Sequence, residues 1–157
     1  MGFSTGSDKE SAAQWGVVMT GKLMEYFNRQ PRIATVSTSG RDGKVDVAVL
    51  GSPNMTDEKT VVAAVGKNRT LANLQENPHA VCMIMEPGKS IADWKGIRVY
   101  LKVKAIATSG PVLDSFKNQI AKVAGEQAAA MIHASVFFEI TEVRPLVDFG
   151  QGWEKSI

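Results

Sequence analysis

The segment from Ile97 to Ala107 constrains the fold of this chain most, because apolar and polar residues alternate along its whole length. The apolar positions are Ile97, Val99, Leu101, Val103 and Ala105. The positions between them carry Arg98, Tyr100, Lys102 and Lys104. A period of two residues is typical of a β-strand that buries one face and turns the other to solvent or to a partner. The segment therefore predicts a long, half-buried strand.

Five further segments are predicted to be strands, because β-branched residues are concentrated in them and turn residues bound them. They are Pro31–Ser37, Lys44–Leu50, Thr60–Val65, His79–Met85 and Ala134–Val143. The run from His79 to Met85 is apolar almost throughout, which predicts burial on both faces. The residues from Gly51 to Lys59 are predicted to form a loop between the second and third of these segments.

Two long segments show the spacing of three and four residues that apolar positions have on a helix. The first, Asp8–Asn28, follows a start, Met1–Ser7, that is predicted to be disordered. The second begins at Pro111, where a proline costs no helical hydrogen bond. It runs to about Ile132, with Gly125 as a candidate break.

These elements predict a mainly β protein with flanking helices. Six strands joined by short turns are typical of a closed antiparallel barrel, whose openings the helices would cover. An open doubly wound α/β sheet would need a helix between most strands, and the sequence lacks them. The length of 157 residues, without a repeat or a linker, predicts a single domain over residues 1–157.

Composition narrows the classes of function. The formal net charge of +2 does not indicate a nucleic-acid binder, and no apolar stretch is long enough to span a bilayer. The one cysteine, Cys82, excludes an internal disulfide framework and a multi-cysteine metal site, and its apolar neighbours predict an inert, buried thiol. The N-terminus shows no signal-peptide pattern, so the cytoplasm is the expected location.

The candidate site lies where the third predicted strand ends, at Gly66. The residues that follow are Lys67, Asn68 and Arg69. Thr70 is predicted to cap a short helix, whose free N–H groups and positive end would face the same point as the cations. The stretch thus predicts a phosphate site. Local chemistry leaves an equal alternative, in which the cations are solvated and Thr70 is an ordinary cap.

The order of these pieces resembles the FMN-binding split β-barrels related to pyridoxamine 5'-phosphate oxidase, over roughly Ile33–Val143. The pieces are Ile33–Ser37, a glycine-containing hairpin, Val45–Val49, Val61–Gly66, Asn68–Leu74, Asn77-Pro78 and Ala80–Met85. The segment from Arg69 to Pro78 is the most distinctive, because family members have a similar polar turn and a short helix that ends in Asn-Pro. The resemblance implies a six-stranded, Greek-key split barrel and a homodimer with two FMN molecules in grooves at the subunit interface.

The resemblance also assigns site residues by position. Asn68, Arg69 and Thr70 would hold the phosphate, with Lys67 beside them and Gly66 at the turn. Arg69 offers a planar fork, Thr70 a hydroxyl and Lys67 a point charge. The rest of FMN would contact a second set: Val47, Ala48 and Val49 along its flank, the backbone of Ala64 and Val65 at the ring edge, Arg98, and Trp153 stacked on the partner's flavin.

Two of these assignments have equal alternatives, since Arg98 also fits a solvated strand charge and Trp153 a surface aromatic wedged on the dimer. The tail Phe149–Ile157 departs from the oxidases, which end in a segment resembling Phe-Trp-Gln-Gly and an Arg-Leu-His run that grips the substrate. Because that run is absent, the charges that would hold a pyridoxal phosphate are missing. Oxidation of pyridoxamine phosphate is therefore not expected.

The resemblance implies an FMN-binding flavoprotein that transfers hydride or electrons: a flavin-dependent reductase, or an electron carrier, with a small-molecule donor or acceptor. Three alternatives stay open: a haem-binding barrel with His133 as ligand, a deazaflavin-dependent reductase, and a barrel that serves only as an interaction module. A metal site is not expected, because His79 and His133 lack neighbouring ligands in a metal-binding spacing. No nucleic-acid or membrane partner is expected.

Overall fold

A computed structural model describes residues 21–157 of the chain. Its strands are β1 (Ile33–Ser39), β2 (Val45–Val49), β3 (Asn54–Met55), β4 (Thr60–Gly66), β5 (His79–Glu86), β6 (Lys95–Ala107) and β7 (Ile132–Pro145). Its helices are α1 (21–28), α2 (Arg69–Glu76), α3 (Pro111–Ala124) and α4 (Glu126–Ala130). Helix α1 agrees with the end of the first predicted helix, and the predictions for residues 1–20 lie outside the described residues.

All seven strands form one antiparallel sheet in the order β2-β1-β5-β6-β7-β4-β3. The mainly β fold with flanking helices is thereby confirmed, and each of the six predicted strands is present. The predicted closed barrel is wrong, because the ladder ends at β2 on one side and at β3 on the other. The predicted strand count is too low by one, because β3 lies within the Gly51–Lys59 segment that was expected to be a loop.

Two side chains, one at the end of α1 and one just after it, hold β3 and the segment before it. The side-chain amide of Asn28 donates to the Met55 carbonyl at 2.9 Å, and its oxygen accepts from the Met55 N–H at 2.8 Å. The guanidinium of Arg32 donates to the backbone carbonyl of Pro53 and, at 3.2 Å, to that of Gly51. Asn28 thus satisfies the backbone polar groups of Met55 that a neighbouring strand would otherwise bond. A strand of two residues held this way leaves no periodic pattern in the sequence.

The core lies on one face of the sheet, and β5 shows how its residues divide. Ala80, Cys82 and Ile84 are buried, whereas Val81 and Met83 on the opposite face are half-buried. The prediction that β5 is buried on both faces is therefore wrong, because this chain covers only one of them fully. Burial raises the pKa of the Cys82 thiol to about 12, which favours the unreactive protonated form expected for this residue.

Strand β6 follows the predicted alternation up to Val103 and then departs from it. Val103 pairs with Phe138 and Ala105 with Phe137, so the register shifts and Lys104 is the extra residue of a bulge. A bulge reverses the faces of the residues after it. The prediction that Ala105 faces the core is therefore wrong: Ala105 is exposed and the side chain of Ile106 packs against the core instead.

The second long helical segment is two helices, α3 and α4. Gly125 lies between them with a φ of 92°, a conformation that residues with a side chain rarely adopt. The predicted break at Gly125 is confirmed. Both helices contact β7. Across residues 21–157, no helix combines the length and the apolar character needed to cross a membrane.

Replacement of Asn28 tests its role as the backbone partner of Met55. We expect Asn28→Ala to lower the free energy of unfolding by about 1–3 kcal/mol, because a buried N–H and C=O lose their partners. Asn118→Ala, at an exposed position of α3, is the matched control and should change it by less than about 0.5 kcal/mol. Urea denaturation followed by circular dichroism measures both. Equal stabilities of the two variants would contradict the role assigned to Asn28.

Candidate functional site

The turn between β4 and α2 places the predicted phosphate residues together at the start of a helix. Asn68 is the N-cap of α2: its backbone is extended, with φ −141° and ψ −173°, and its Oδ1 accepts the Leu71 N–H at 3.1 Å. The prediction that Thr70 is the cap is wrong, because Thr70 already lies inside the first turn and is only 3% exposed. Asn68 fits the extended backbone and short acceptor side chain that this position requires.

Gly66 allows Met131, the residue just before β7, to approach the turn closely. A Cβ on Gly66 would lie 3.1 Å from the carbonyl oxygen of Met131, tighter than most real contacts of a Cβ. The β4–β7 register also shifts here, since Val65 pairs with Ala134 and Gly66 with Ile132. His133 falls between the paired residues and is exposed. Strand β4 ends at this tightly packed glycine, and Lys67 and Asn68 follow directly.

Two cations and one carboxylate lie at the mouth of this turn. Lys67 and Arg69 are exposed, and the first turn of α2 carries no acidic residue. The Nη1 atom of Arg69 lies 3.9 Å from Oδ1 of Asp46 on β2, with exposed side-chain fractions of 78% and 25%. We call Gly66–Thr70 together with Asp46 the anion cradle. Its donors are two cationic side chains, the Asn68 side-chain amide and the helix N-terminus, which suits an anion.

The three predicted flank residues of β2 do not share a face. The side chains of Val47 and Val49 are 63% and 81% exposed, and that of Val45 is 84% exposed. Ala48 is half-buried and points to the opposite face of β2, where Asp46 also lies. Of the three flank residues, Ala48 therefore shares the face of the cradle carboxylate. The valines form an exposed apolar row on an edge strand, which we call the valine row.

The backbone groups of Ala64, predicted to lie at the ring edge, are already bonded within the chain. Ser52 Oγ donates to the Ala64 carbonyl at 2.8 Å and accepts the Ala64 N–H at 3.0 Å. Val65, the other predicted residue, pairs with Ala134 of β7. Neither Ser52 nor Asp46 was predicted as a site residue, because each contacts its partner only through the folded sheet.

Arg98 is neither solvated nor isolated, because the tail holds it. Its Nε donates to the Pro145 carbonyl at 2.9 Å and its Nη2 lies 3.6 Å from the carboxylate of Asp148. Arg144 also donates to Asp148, at 2.5 Å. The hydrogen bond from the Gly150 N–H, together with Arg144, lowers the pKa of Asp148, which keeps it ionised beside both arginines.

Trp153 begins a short 3-10 turn, Trp153–Ser156, and is partly buried against the core of its own chain. The exposed aromatic residue of the tail is Phe149, at 71% exposure. Among residues 21–157, no group of three histidine, cysteine, aspartate or glutamate side chains is arranged to hold a metal ion. His79 and His133 are both exposed, on β5 and β7 respectively.

Comparison with protein families gives a match over most of the described chain. Residues 20–144 match the sequence profile of the family described as pyridoxamine 5'-phosphate oxidase. A comparison with curated proteins gives no significant match.

The names of solved structures with the same fold refer to three different small molecules, FMN, F420 and haem. An FMN-binding protein from Syntrophomonas wolfei subsp. wolfei superposes with a TM-score of 0.72 at 24% identity, covering 92% of this chain and 99% of that one. An F420 reductase gives 0.56 at 14% identity, covering 76% and 94%. HutZ, a haem storage protein from Vibrio cholerae, gives 0.58 at 13% identity, covering 78% and 91%. At these identities the similarity shows the fold alone.

The cap of α2 can be tested separately from any ligand. We expect Asn68→Ala to lower the free energy of unfolding by about 0.5–2 kcal/mol, because the Leu71 N–H loses its acceptor. Asn68→Ser keeps a cap oxygen and should stay close to the wild-type value. Urea denaturation of the three proteins measures the difference. If the alanine variant were as stable as the serine variant, Asn68 would not be the cap.

Proposed function

Because the chain belongs to the pyridoxamine 5'-phosphate oxidase family, we propose that it is a flavoprotein that binds FMN non-covalently, with the phosphate in the anion cradle. The observation that carries the proposal is the convergence of Lys67, Arg69 and the capped N-terminus of α2 at one turn. The similarity to an FMN-binding protein along almost the whole length of both chains supports it.

In this proposal each residue of the anion cradle makes a different kind of contact to the phosphate. Arg69 supplies a planar fork that can bond two oxygens, and Lys67 a point charge. Asn68 uses its oxygen on the Leu71 N–H, so its Nδ2 is the atom left to donate to an anion. Thr70 is buried in the first turn, so its part is to place the backbone N–H groups rather than to offer a side chain at the surface.

The remaining assignments follow the family's arrangement and stay proposals. Val47, Ala48 and Val49 would flank the flavin, Ala64 and Val65 would lie at the ring edge, and Arg98 and Trp153 would belong to a groove shared with a second subunit. Bound FMN would supply hydride or single-electron transfer. The chain itself offers binding and orientation, and the reaction is that of a flavin-dependent oxidoreductase or electron carrier with a small-molecule partner. The tail lacks the substrate-binding run of the oxidases, so pyridoxamine phosphate is not the proposed substrate.

We further propose that the chain forms a homodimer through the sheet face that carries the valine row. Val45, Val47 and Val49 are all more than half exposed on an edge strand, a position where proteins ordinarily carry charges. A shallow cavity of about 270 Å³ opens on the same face, and its lining includes Val45, His79 and Tyr100. An apolar row next to a cavity is typical of a contact surface.

A second candidate function is haem binding. It is supported by His133, which is exposed beside the end of β4, and by the fold shared with a haem storage protein. A third is the use of a deazaflavin in the same groove, suggested by the fold shared with an F420 reductase. Absorbance titrations of the purified protein with FMN, F420 and haem separate the three.

Replacement of both exposed cations tests the phosphate assignment. We expect Lys67→Gln/Arg69→Gln to weaken FMN binding by at least about tenfold, because two charge-assisted contacts to the phosphate are lost. Riboflavin, which lacks the phosphate, should bind wild type and variant equally. Quenching of flavin fluorescence gives both dissociation constants.

The matched control is Arg41→Gln/Lys44→Gln, which removes the same charge from the tip of the β1–β2 hairpin, where both side chains are exposed. It should leave FMN binding unchanged. Wild-type protein that binds no FMN would contradict the proposed function. A cradle variant that binds FMN as tightly as wild type would contradict the placement of the phosphate.

A charge in the valine row tests the dimer. We expect Val47→Asp to convert the dimer to a monomer, because the interface would have to bury an unpaired carboxylate. Val123→Asp on α3, where the side chain is 89% exposed, is the matched control and should stay dimeric. Sedimentation velocity measures all three proteins. A monomeric wild type, or a dimeric Val47→Asp variant, would contradict the proposed interface.

A further inference from the structure

We propose that Asp46 is a specificity-determining residue of the anion cradle, which limits how strongly the cradle holds a doubly charged phosphate. This inference rests on the proposed function, in which the cradle binds the phosphate of FMN. It concerns a carboxylate that opposes binding, rather than a further ligand of the phosphate.

The position of Asp46 on β2 directs its side chain to the cradle and away from the valine row. Asp46 pairs with Thr38 of β1, and Val45 and Val47 on either side of it point to the opposite face. Its carboxylate lies 3.9 Å from the Arg69 guanidinium and is 25% exposed. A carboxylate that is three-quarters covered is less screened by solvent than a surface one, so its field acts on whatever Arg69 binds.

The other carboxylates near this hairpin are engaged elsewhere. Asp42 lies 3.9 Å from Lys44 and accepts the Lys44 N–H, and Glu76 accepts the Arg41 N–H at 2.9 Å. Within the part of the chain that the structure describes, Asp46 is the carboxylate that lies within 4.0 Å of a cradle cation. The negative charge in the cradle therefore comes from this one side chain.

The net positive charge of the anion cradle is smaller than the negative charge of a phosphate monoester. Lys67 and Arg69 contribute two positive charges and Asp46 one negative, which leaves a formal charge of +1. A phosphate monoester carries a charge of about −1.5 to −2 at neutral pH. Asp46 repels such an anion about twice as strongly as it repels a singly charged phosphodiester. The cradle consequently holds the phosphate of FMN loosely and favours release of the cofactor.

Asp46→Asn tests this with FMN and riboflavin as paired probes. The change keeps the shape of the side chain and removes its charge. We expect FMN to bind about three- to tenfold more tightly, and riboflavin to bind within about twofold of wild type, because only FMN carries the phosphate. Asp42→Asn removes the same charge from the same hairpin at a distance from Arg69, and should change neither constant.

Each outcome decides the inference. FMN affinity that is unchanged or weaker in Asp46→Asn overturns it, and weaker binding would instead make Asp46 a residue that positions Arg69. A wild type that binds neither flavin contradicts the proposed function. In that case inorganic phosphate at pH 8 serves as the probe of Asp46. Amide shifts of Lys67 and Arg69 in NMR titrations should show tighter phosphate binding in the variant. Equal or undetectable phosphate binding by both proteins overturns the inference on its own terms.

Discussion

The close approach of β7 to β4 at Gly66 is the constraint on which the site depends. A Cβ at residue 66 would lie only 3.1 Å from the Met131 carbonyl oxygen, and β4 ends at this glycine. Two residues later, Asn68 has an extended backbone and caps α2. The two exposed cations fall on either side of that cap. The end of β4 at Gly66, the charges of Lys67 and Arg69, and the N-terminus of α2 thus lie together at one turn.

The two edge strands of the sheet differ in whether side chains of the same chain bond their backbone groups. The difference indicates where a second subunit would bind. At the β3 edge, side chains replace a neighbouring strand: Asn28 bonds both backbone groups of Met55, and Ser52 bonds both backbone groups of Ala64. That edge is closed within the chain. At the β2 edge no such replacement is present among the described residues, and the strand presents its valine row. The sheet face beside the open β2 edge, which carries the valine row, is therefore the surface suited to the proposed second subunit.

The sequence was sufficient for the strands but not for the contacts that hold them. Period-two patterns and turn residues located all six long strands, because burial of one face is a local property of the chain. The errors have non-local causes. Ala105 was wrongly assigned to the core. The bulge at Lys104 that turns it outward arises from the register with β7, which the local sequence does not reveal. Strand β3 is held by the side chain of Asn28, 27 residues earlier in the chain, and by pairing with β4. Asn68 rather than Thr70 is the cap because α2 begins at Arg69, and a helix start is not marked to within two residues by the sequence.

Arg69 and Arg98 were both assigned to FMN by their positions in the sequence, but their contacts in the structure differ. Each lies near one carboxylate, Arg69 near Asp46 and Arg98 near Asp148. Asp148 is also held by Arg144 and by the Gly150 N–H, and Arg98 bonds the Pro145 carbonyl. An anion that binds Arg98 would have to compete with this whole network. Arg69 has a single, longer contact and a mostly exposed side chain, and such exposed pairs are worth at most about 1 kcal/mol. On these energies Arg69 is the better candidate of the two for the proposed phosphate contact, while Arg98 holds the tail against β6.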